Sequence, residues 1–229
     1  MMKKFIIVLL TAASLTLSGC TNKPNHASVI SEEEYIVEDI TITNSDDALQ
    51  RLKDGNARFL ADDSALINVT SERRNELVDH QNPYAVVVSC SDSRVTPSLI
   101  FNVGLGEIFD VRIAGNVVDD DALGSIEYAV DHLHSPLLVI MGHESCGAVT
   151  AAYDSVKKGV PAEGKVASIV EKIAPVIGDS NTIDEAIHKN INAVYDEVLK
   201  DEIVKNAVNA GKLTVVKAYY DLDGTVIFD

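Results

Sequence analysis

Continuous apolar runs along the chain predict buried β-strands. Such runs, rich in Val, Ile and Leu and bounded by turn-forming or polar residues, occur at residues 85–89, 108–114, 137–141 and 212–220. Runs of this kind are typical of strands covered on both faces, as in a parallel sheet. Asp223-Gly224 predicts a tight turn into an antiparallel edge strand at residues 225–228.

Between these runs, apolar residues recur at helical spacing. The pattern predicts helices over residues 46–60, 71–80, 97–101, 119–134, 148–158, 165–177 and 182–209. Gly55-Asn56 either interrupts the first helix or marks a close contact. The alternation of strands and helices indicates an α/β fold with helices on both faces of a central, mainly parallel sheet.

The first residues do not follow this pattern. Lys3 and Lys4 precede an apolar stretch that ends in Leu17-Ser18-Gly19-Cys20. The stretch is too short for a typical transmembrane helix and is typical of an export signal. It resembles a bacterial lipoprotein signal, which implies cleavage before Cys20 and lipidation of that cysteine. A plain signal peptide or an uncleaved anchor is the alternative.

We therefore predict three segments: a lipoprotein signal at residues 1–19, a polar tether at 20–39 and a folded domain at 40–229. Lipidated Cys20 would anchor the exported protein to a bacterial membrane on its extracytoplasmic face.

The composition excludes several classes of partner for the domain. The 229 residues carry a net charge of −16, which argues against binding nucleic acid or adhering electrostatically to anionic lipid. Tryptophan is absent and aromatic residues are few, so base-stacking surfaces are not expected. A small substrate fits this composition better.

The candidate chemistry lies where two predicted strands end. Cys90, Asp92 and Arg94 follow the first strand, and His143 and Cys146 follow the third. Open α/β sheets place their ligands beyond the carboxyl ends of such strands. Cys90, His143 and Cys146 form the kind of three-ligand set that catalytic zinc sites use, with a fourth position left open.

The two cysteines could instead form a disulfide in an exported protein. A disulfide does not explain why His143 lies three residues before Cys146, or why a carboxylate and a guanidinium follow Cys90. The sequence therefore favours a metal site.

Asp92 and Arg94 are two residues apart, so both side chains can point the same way in an extended segment. The guanidinium would keep the carboxylate ionised. Such a carboxylate can orient a water molecule by hydrogen bonding, or it can fill the open position of the metal itself.

The motifs Cys90-Ser91-Asp92-Ser93-Arg94 and Gly142-His143-x-x-Cys146-Gly147 together resemble those of the β-class carbonic anhydrases. The resemblance runs from about residue 45 to the C-terminus. It also includes residues 52–59, 109–116 and 219–226.

The resemblance implies one Zn²⁺ per chain, held by Cys90, His143 and Cys146, and reversible hydration of CO2 to bicarbonate and a proton by zinc-bound hydroxide. Asp92 would orient that hydroxide, and Arg94 would hold Asp92 away from the metal. In a closed form, favoured at lower pH, Asp92 would become a fourth zinc ligand.

The resemblance and right-handed crossovers also imply the strand order 2-1-3-4, with the antiparallel strand added at the edge. They imply a dimer as the minimum unit, with the N-terminal helices wrapped on the partner, and tetramers as a further assembly. Two alternatives stay open at this point. One is a CS2 or COS hydrolase on the same fold, and the other is a zinc-binding lipoprotein without catalysis.

Overall fold

A five-stranded sheet forms the centre of the domain in the computed structural model, which describes residues 42–63 and 67–229. Its strands are β1 (Ala85–Ser89), β2 (Ile108–Arg112), β3 (Leu137–His143), β4 (Thr214–Tyr220) and β5 (Val226–Phe228). Their order is β2-β1-β3-β4-β5. The first four pair in parallel, and β5 pairs antiparallel with β4. The predicted α/β class and strand order are confirmed.

β1 and β3 are neighbouring interior strands of the sheet. Every residue of both strands is buried, as their continuous apolar runs predicted. They pair directly, with Val88 opposite Ile140. Because the two strands are parallel, their carboxyl ends lie side by side at the same end of the sheet.

Eight α-helices lie in the described residues: α1 (Ser45–Leu60), α2 (Ser71–Glu76), α3 (Pro97–Ile100), α4 (Asp120–Glu127), α5 (Gly147–Lys158), α6 (Val166–Ile177), α7 (Ile183–Val198) and α8 (Glu202–Asn209). A π-helical segment, Tyr128–His132, continues α4, and a 3-10 turn, Ala114–Asn116, follows β2.

The helices cover both faces of the sheet, as predicted. On one face, side chains of α4 to α8 pack on the sheet residues Val86, Val88, Leu138 and Ile140. On the other face, α1 and α3 pack on Val87, Val139 and Met141. The sheet is thus enclosed between two apolar layers.

The predicted helix over residues 182–209 is two helices. α7 ends at Val198 and α8 begins at Glu202. The Asp201 carboxylate accepts hydrogen bonds from the backbone N–H groups of Ile203 and Val204, which caps α8 and allows the chain to change direction. The predicted helix from Ser71 also ends earlier than expected, at Glu76.

Gly55 marks a close contact and does not interrupt α1. A Cβ at this position would lie 1.7 Å from the carbonyl oxygen of Phe101. The neighbouring Asn56 is buried and donates to the carbonyl oxygens of Ile100 and Gly224. The Gly-Asn pair therefore joins α1 to α3 and to the turn before β5.

The predicted signal segment, the tether and Cys20 lie outside the described residues. Among the helices in the described part of the chain, none is long and apolar enough to cross a membrane.

Candidate metal centre

Three potential metal ligands converge where β1 and β3 end. Cys90 follows β1 directly, His143 is the last residue of β3, and Cys146 occupies the N-cap position of α5. All three side chains are buried, and their ligand atoms lie within 4.8 Å of one another. Within residues 42–63 and 67–229, no other group of three His, Cys, Asp or Glu side chains converges in this way.

The hydrogen bonding of His143 fits a metal ligand. Its Nδ1 lies 2.8 Å from the carbonyl oxygen of Glu144 and must donate, since a carbonyl can only accept. The proton on Nδ1 leaves the lone pair on Nε2. That nitrogen is buried and has no hydrogen-bond partner. A bound cation would satisfy it, and metal-binding histidines commonly carry such a backbone contact on the other nitrogen.

The two thiols are free rather than joined in a disulfide, and their pKa values differ. A hydrogen bond from the Cys146 thiol lowers the pKa of Cys90 to about 4, although burial acts in the opposite direction. The backbone N–H of Gly115 also lowers this pKa. The same contact with Cys90, together with burial, raises the pKa of Cys146. The site therefore provides one thiolate, and metal binding would displace the proton of the second thiol.

Two sulfurs and one imidazole nitrogen form a donor set that suits zinc, and three protein ligands leave a coordination position for water or substrate. These residues therefore fit the metal that the sequence motifs predicted. Asp92 does not belong to the converging group.

Asp92 lies beside the three ligands and is held by Arg94. The guanidinium Nε donates to Oδ1 at 2.9 Å, and Nη2 donates to Oδ2 at 2.8 Å. These hydrogen bonds hold the pKa of Asp92 far below its usual range. The Asp92 carboxylate also interacts electrostatically with His143. The structure thus places an ionised, oriented carboxylate next to the predicted zinc ligands.

Arg112 supports the loop that carries Cys90 and Asp92, a role that the sequence motifs do not indicate. Its Nε donates to the carbonyl oxygen of Cys90 at 3.2 Å, and its Nη2 donates to that of Asp92 at 2.8 Å. The available signal was its place at the end of β2, beside the strand that delivers Cys90. Sequence alone does not show which backbone groups it reaches.

Comparisons with known proteins agree with this site. The family model described as carbonic anhydrase matches residues 85–227. A carbonic anhydrase of Mycolicibacterium smegmatis is 40% identical over 186 residues, which cover 78% of this chain and 90% of that protein. Carbonic anhydrase 2 of Mycobacterium tuberculosis is 37% identical over 187 residues, which cover 79% of this chain and 90% of that protein.

Solved structures show the same fold. A Coccomyxa β-carbonic anhydrase in complex with acetazolamide superimposes with a TM-score of 0.59 at 26% identity, covering 78% of this chain and 85% of that one. A structure from a study of two tetrameric β-carbonic anhydrases of Sordaria macrospora has a TM-score of 0.63 at 20% identity, covering 80% of this chain and 96% of that one. The chain therefore belongs to the carbonic anhydrase family and has the fold of its β-class.

Proposed function

We propose that this protein catalyses the reversible hydration of CO2 to bicarbonate and a proton, with one zinc ion per chain held by Cys90, His143 and Cys146. One observation carries the proposal: a buried Cys-His-Cys group lies beside an ionised Asp-Arg pair in a chain that is 37–40% identical to two carbonic anhydrases.

When bound, zinc supplies a Lewis acid that makes a water molecule acidic enough to act as a nucleophile near neutral pH. The residues around the site supply orientation. The Asp92 carboxylate accepts a hydrogen bond from the attacking water. This hydrogen bond orients the water so that a lone pair of the water oxygen points toward the carbon of CO2. Arg94 and its two hydrogen bonds fix the carboxylate in that role.

A second role for Asp92 follows from the same pair. Release of the carboxylate from Arg94 would free it to become a fourth zinc ligand in a closed, inactive form. The half-exposed guanidinium of Arg94 could turn toward solvent when the pair separates. A zinc–Asp92 bond that persists in a fully active sample at high pH would contradict this proposal.

The experiment that tests the function compares substrates. Stopped-flow assays of the full-length protein should show rapid CO2 hydration that a zinc chelator suppresses, with slow or no hydrolysis of COS and CS2. Zinc binding without CO2 hydration would contradict the proposal and would support a sulfur-containing substrate or a non-catalytic site. The two mycobacterial relatives are named as carbonic anhydrases, which supports CO2.

We also propose that the protein assembles into dimers, with tetramers as a further step. β2 is an edge strand of the sheet. Large apolar side chains are exposed at Leu105, which precedes β2, and at Tyr128, whose ring centroid lies 6.4 Å from that of Phe109 in β2. The exposed Val78 lines one pocket with both of them. Burial of such side chains against a second copy would be favourable. Light scattering during size-exclusion chromatography tests the assembly, and a monomer at micromolar concentration would contradict it.

For the N-terminus we propose the boundaries stated above: a signal at 1–19, a tether at 20–39 and the enzymatic domain at 40–229, with lipidated Cys20 holding the protein at the extracytoplasmic face of a bacterial membrane. The support is the sequence of residues 3–20. Mass spectrometry of the mature protein should find acyl chains on Cys20, and Cys20→Ser should abolish this modification. An unmodified Cys20 in a processed chain would contradict the anchor.

A further inference from the structure

The sulfur of Cys90 receives a hydrogen bond from a turn in the left-handed backbone region. The backbone N–H of Gly115 donates to Cys90 Sγ at 3.2 Å. Gly115 lies in the 3-10 turn Ala114–Asn116 with a φ of 68°, and Asn116 follows with a φ of 44°. Glycine and asparagine enter the left-handed region more easily than other residues, so contacts with the surroundings, and not the backbone alone, must hold this turn in place.

Asn190 of α7 makes contacts that keep the Gly115 turn in place. Its side-chain Nδ2 donates to the carbonyl oxygen of Gly115 at 2.8 Å and lies 3.4 Å from Oδ1 of Asn116. Asn190 is only 2% exposed. The hydrogen bond therefore joins two groups that are 75 residues apart in sequence and shielded from water.

The position of Asn190 on its helix is unusual for a polar residue. The buried face of α7 is otherwise apolar, and its members are Ala186, Ile187, Ile191, Val194 and Val198. A buried amide is costly unless it is hydrogen-bonded, and an apolar residue would serve packing equally well. A specific task at Gly115 accounts for the amide.

Close packing around Gly115 also restricts the position of the turn. A Cβ at Gly115 would lie 2.8 Å from Cδ1 of Ile173 and 3.1 Å from Cβ of Ala148. α5 and α6 therefore enclose the residue from one direction, while Asn190 holds its carbonyl oxygen. The N–H of the same residue is left aimed at the Cys90 sulfur.

We propose that Asn190 is a positioning residue of the zinc centre: it fixes the Gly115 turn so that the Gly115 N–H donates to Cys90 and sets the strength of that sulfur as a metal ligand. An N–H donor withdraws charge from a thiolate. Loss of the donor makes the sulfur a stronger electron donor and leaves its position less defined. Outer hydrogen bonds of this kind tune metal affinity in other sites. The inference rests on the zinc site of the proposed function.

Asn190→Leu tests this role because it keeps a similar volume and removes the amide. Zinc affinity, measured by competition with a chromogenic chelator, should fall about 10-fold or more, because the loss of a fixed sulfur position outweighs the gain in donor strength. In the cobalt-substituted protein, the sulfur-to-cobalt charge-transfer band should move to longer wavelength, because a thiolate without its N–H donor gives up an electron more easily. Unchanged affinity together with an unchanged band would overturn the proposal.

Val194→Ala is the matched control. Val194 is buried on the same face of α7, and the substitution removes apolar contacts without removing a polar group. It should lower the melting temperature but leave the zinc affinity and the cobalt spectrum unchanged. If it alters both as much as Asn190→Leu does, the role of Asn190 is merely structural and the proposal is wrong.

The wild-type holoprotein offers a test that does not depend on the folding of any variant. In protein loaded with ¹¹³Cd, NMR should detect a scalar coupling between the metal and the Gly115 amide proton through the Cys90 sulfur. The side-chain amide protons of Asn190 should exchange slowly with solvent. Absence of the coupling, or rapid exchange of the Asn190 amide, would overturn the proposal. Both readouts concern the metal site alone, so failure here is distinguishable from failure to hydrate CO2.

Discussion

Arg94 binds Asp92 through two parallel hydrogen bonds, Nε to Oδ1 at 2.9 Å and Nη2 to Oδ2 at 2.8 Å. The backbone N–H of Arg94 also donates to Oδ1 at 2.9 Å. The carboxylate is mostly buried, while the guanidinium is half exposed to solvent. A purely structural zinc site, closed by four protein ligands, would not need such a pair.

Asp92→Asn should reduce kcat for CO2 hydration by about 100-fold or more while zinc content stays near one per chain. The amide has nearly the shape of the carboxylate but lacks its charge and cannot orient water in the same way. Stopped-flow kinetics and metal analysis on the same sample give both quantities. Asp179→Asn, at an exposed ion pair with Lys189, serves as the control. Wild-type activity in Asp92→Asn would exclude the assigned role.

Arg94→Lys should lower kcat/KM about 10- to 100-fold although the charge is kept. A lysine cannot make the two parallel hydrogen bonds that the guanidinium makes, so the carboxylate would be less firmly oriented. The control is Arg73→Lys, since Arg73 forms an exposed ion pair with Glu76. Equal losses in the two variants would show that the Asp92–Arg94 geometry is not responsible.

Zinc should stabilise the folded protein through the three ligands. A free zinc concentration of about 100 times the dissociation constant should raise the free energy of unfolding by about 2.7 kcal/mol, because the metal binds the native state. Thermal unfolding at several buffered zinc concentrations measures this. Cys146→Ser should abolish the response, whereas Cys20→Ser, which lies outside the domain, should keep it. A full response in Cys146→Ser would remove that residue from the ligand set.

Gly55→Ala should destabilise the protein by about 3 kcal/mol, because the new Cβ would overlap the carbonyl oxygen of Phe101. Chemical denaturation of the purified variant gives the free energy. Gly124→Ala in α4 is the opposite case. Beyond its chain neighbours and the nearby backbone of its own helix, no atom lies within 4 Å of the new Cβ, and alanine favours the helix by about 1 kcal/mol, so this variant should be neutral or stabilised. Similar behaviour of the two variants would contradict the close contact at Gly55.

Much of the fold could be predicted because its signals are local. The fully buried strands β1 and β3 carry continuous apolar runs, and their ligand residues come directly after them. The break between α7 and α8 was missed because apolar residues such as Val198 and Val204 continue on both sides of it. Only the hydrogen bonds of Asp201 show that a new helix begins there.

The support around the site could not be predicted because it depends on long-range contacts. Arg112 reaches the carbonyl oxygens of Cys90 and Asp92, which are 22 and 20 residues away. Asn190 reaches Gly115 across 75 residues. The sequence pattern shows only that Asn190 is a polar residue on the apolar face of α7. It does not show which group Asn190 contacts.

We expect zinc at Cys90, His143 and Cys146 to be required for CO2 hydration. The most direct measurement is a zinc titration of the chelator-stripped, full-length protein, with bound zinc and the CO2 hydration rate determined in the same samples. We predict that the rate rises in proportion to bound zinc and stops rising at one zinc per chain. A hydration rate that does not depend on zinc, or a protein that is fully loaded with zinc and does not hydrate CO2, would contradict the account.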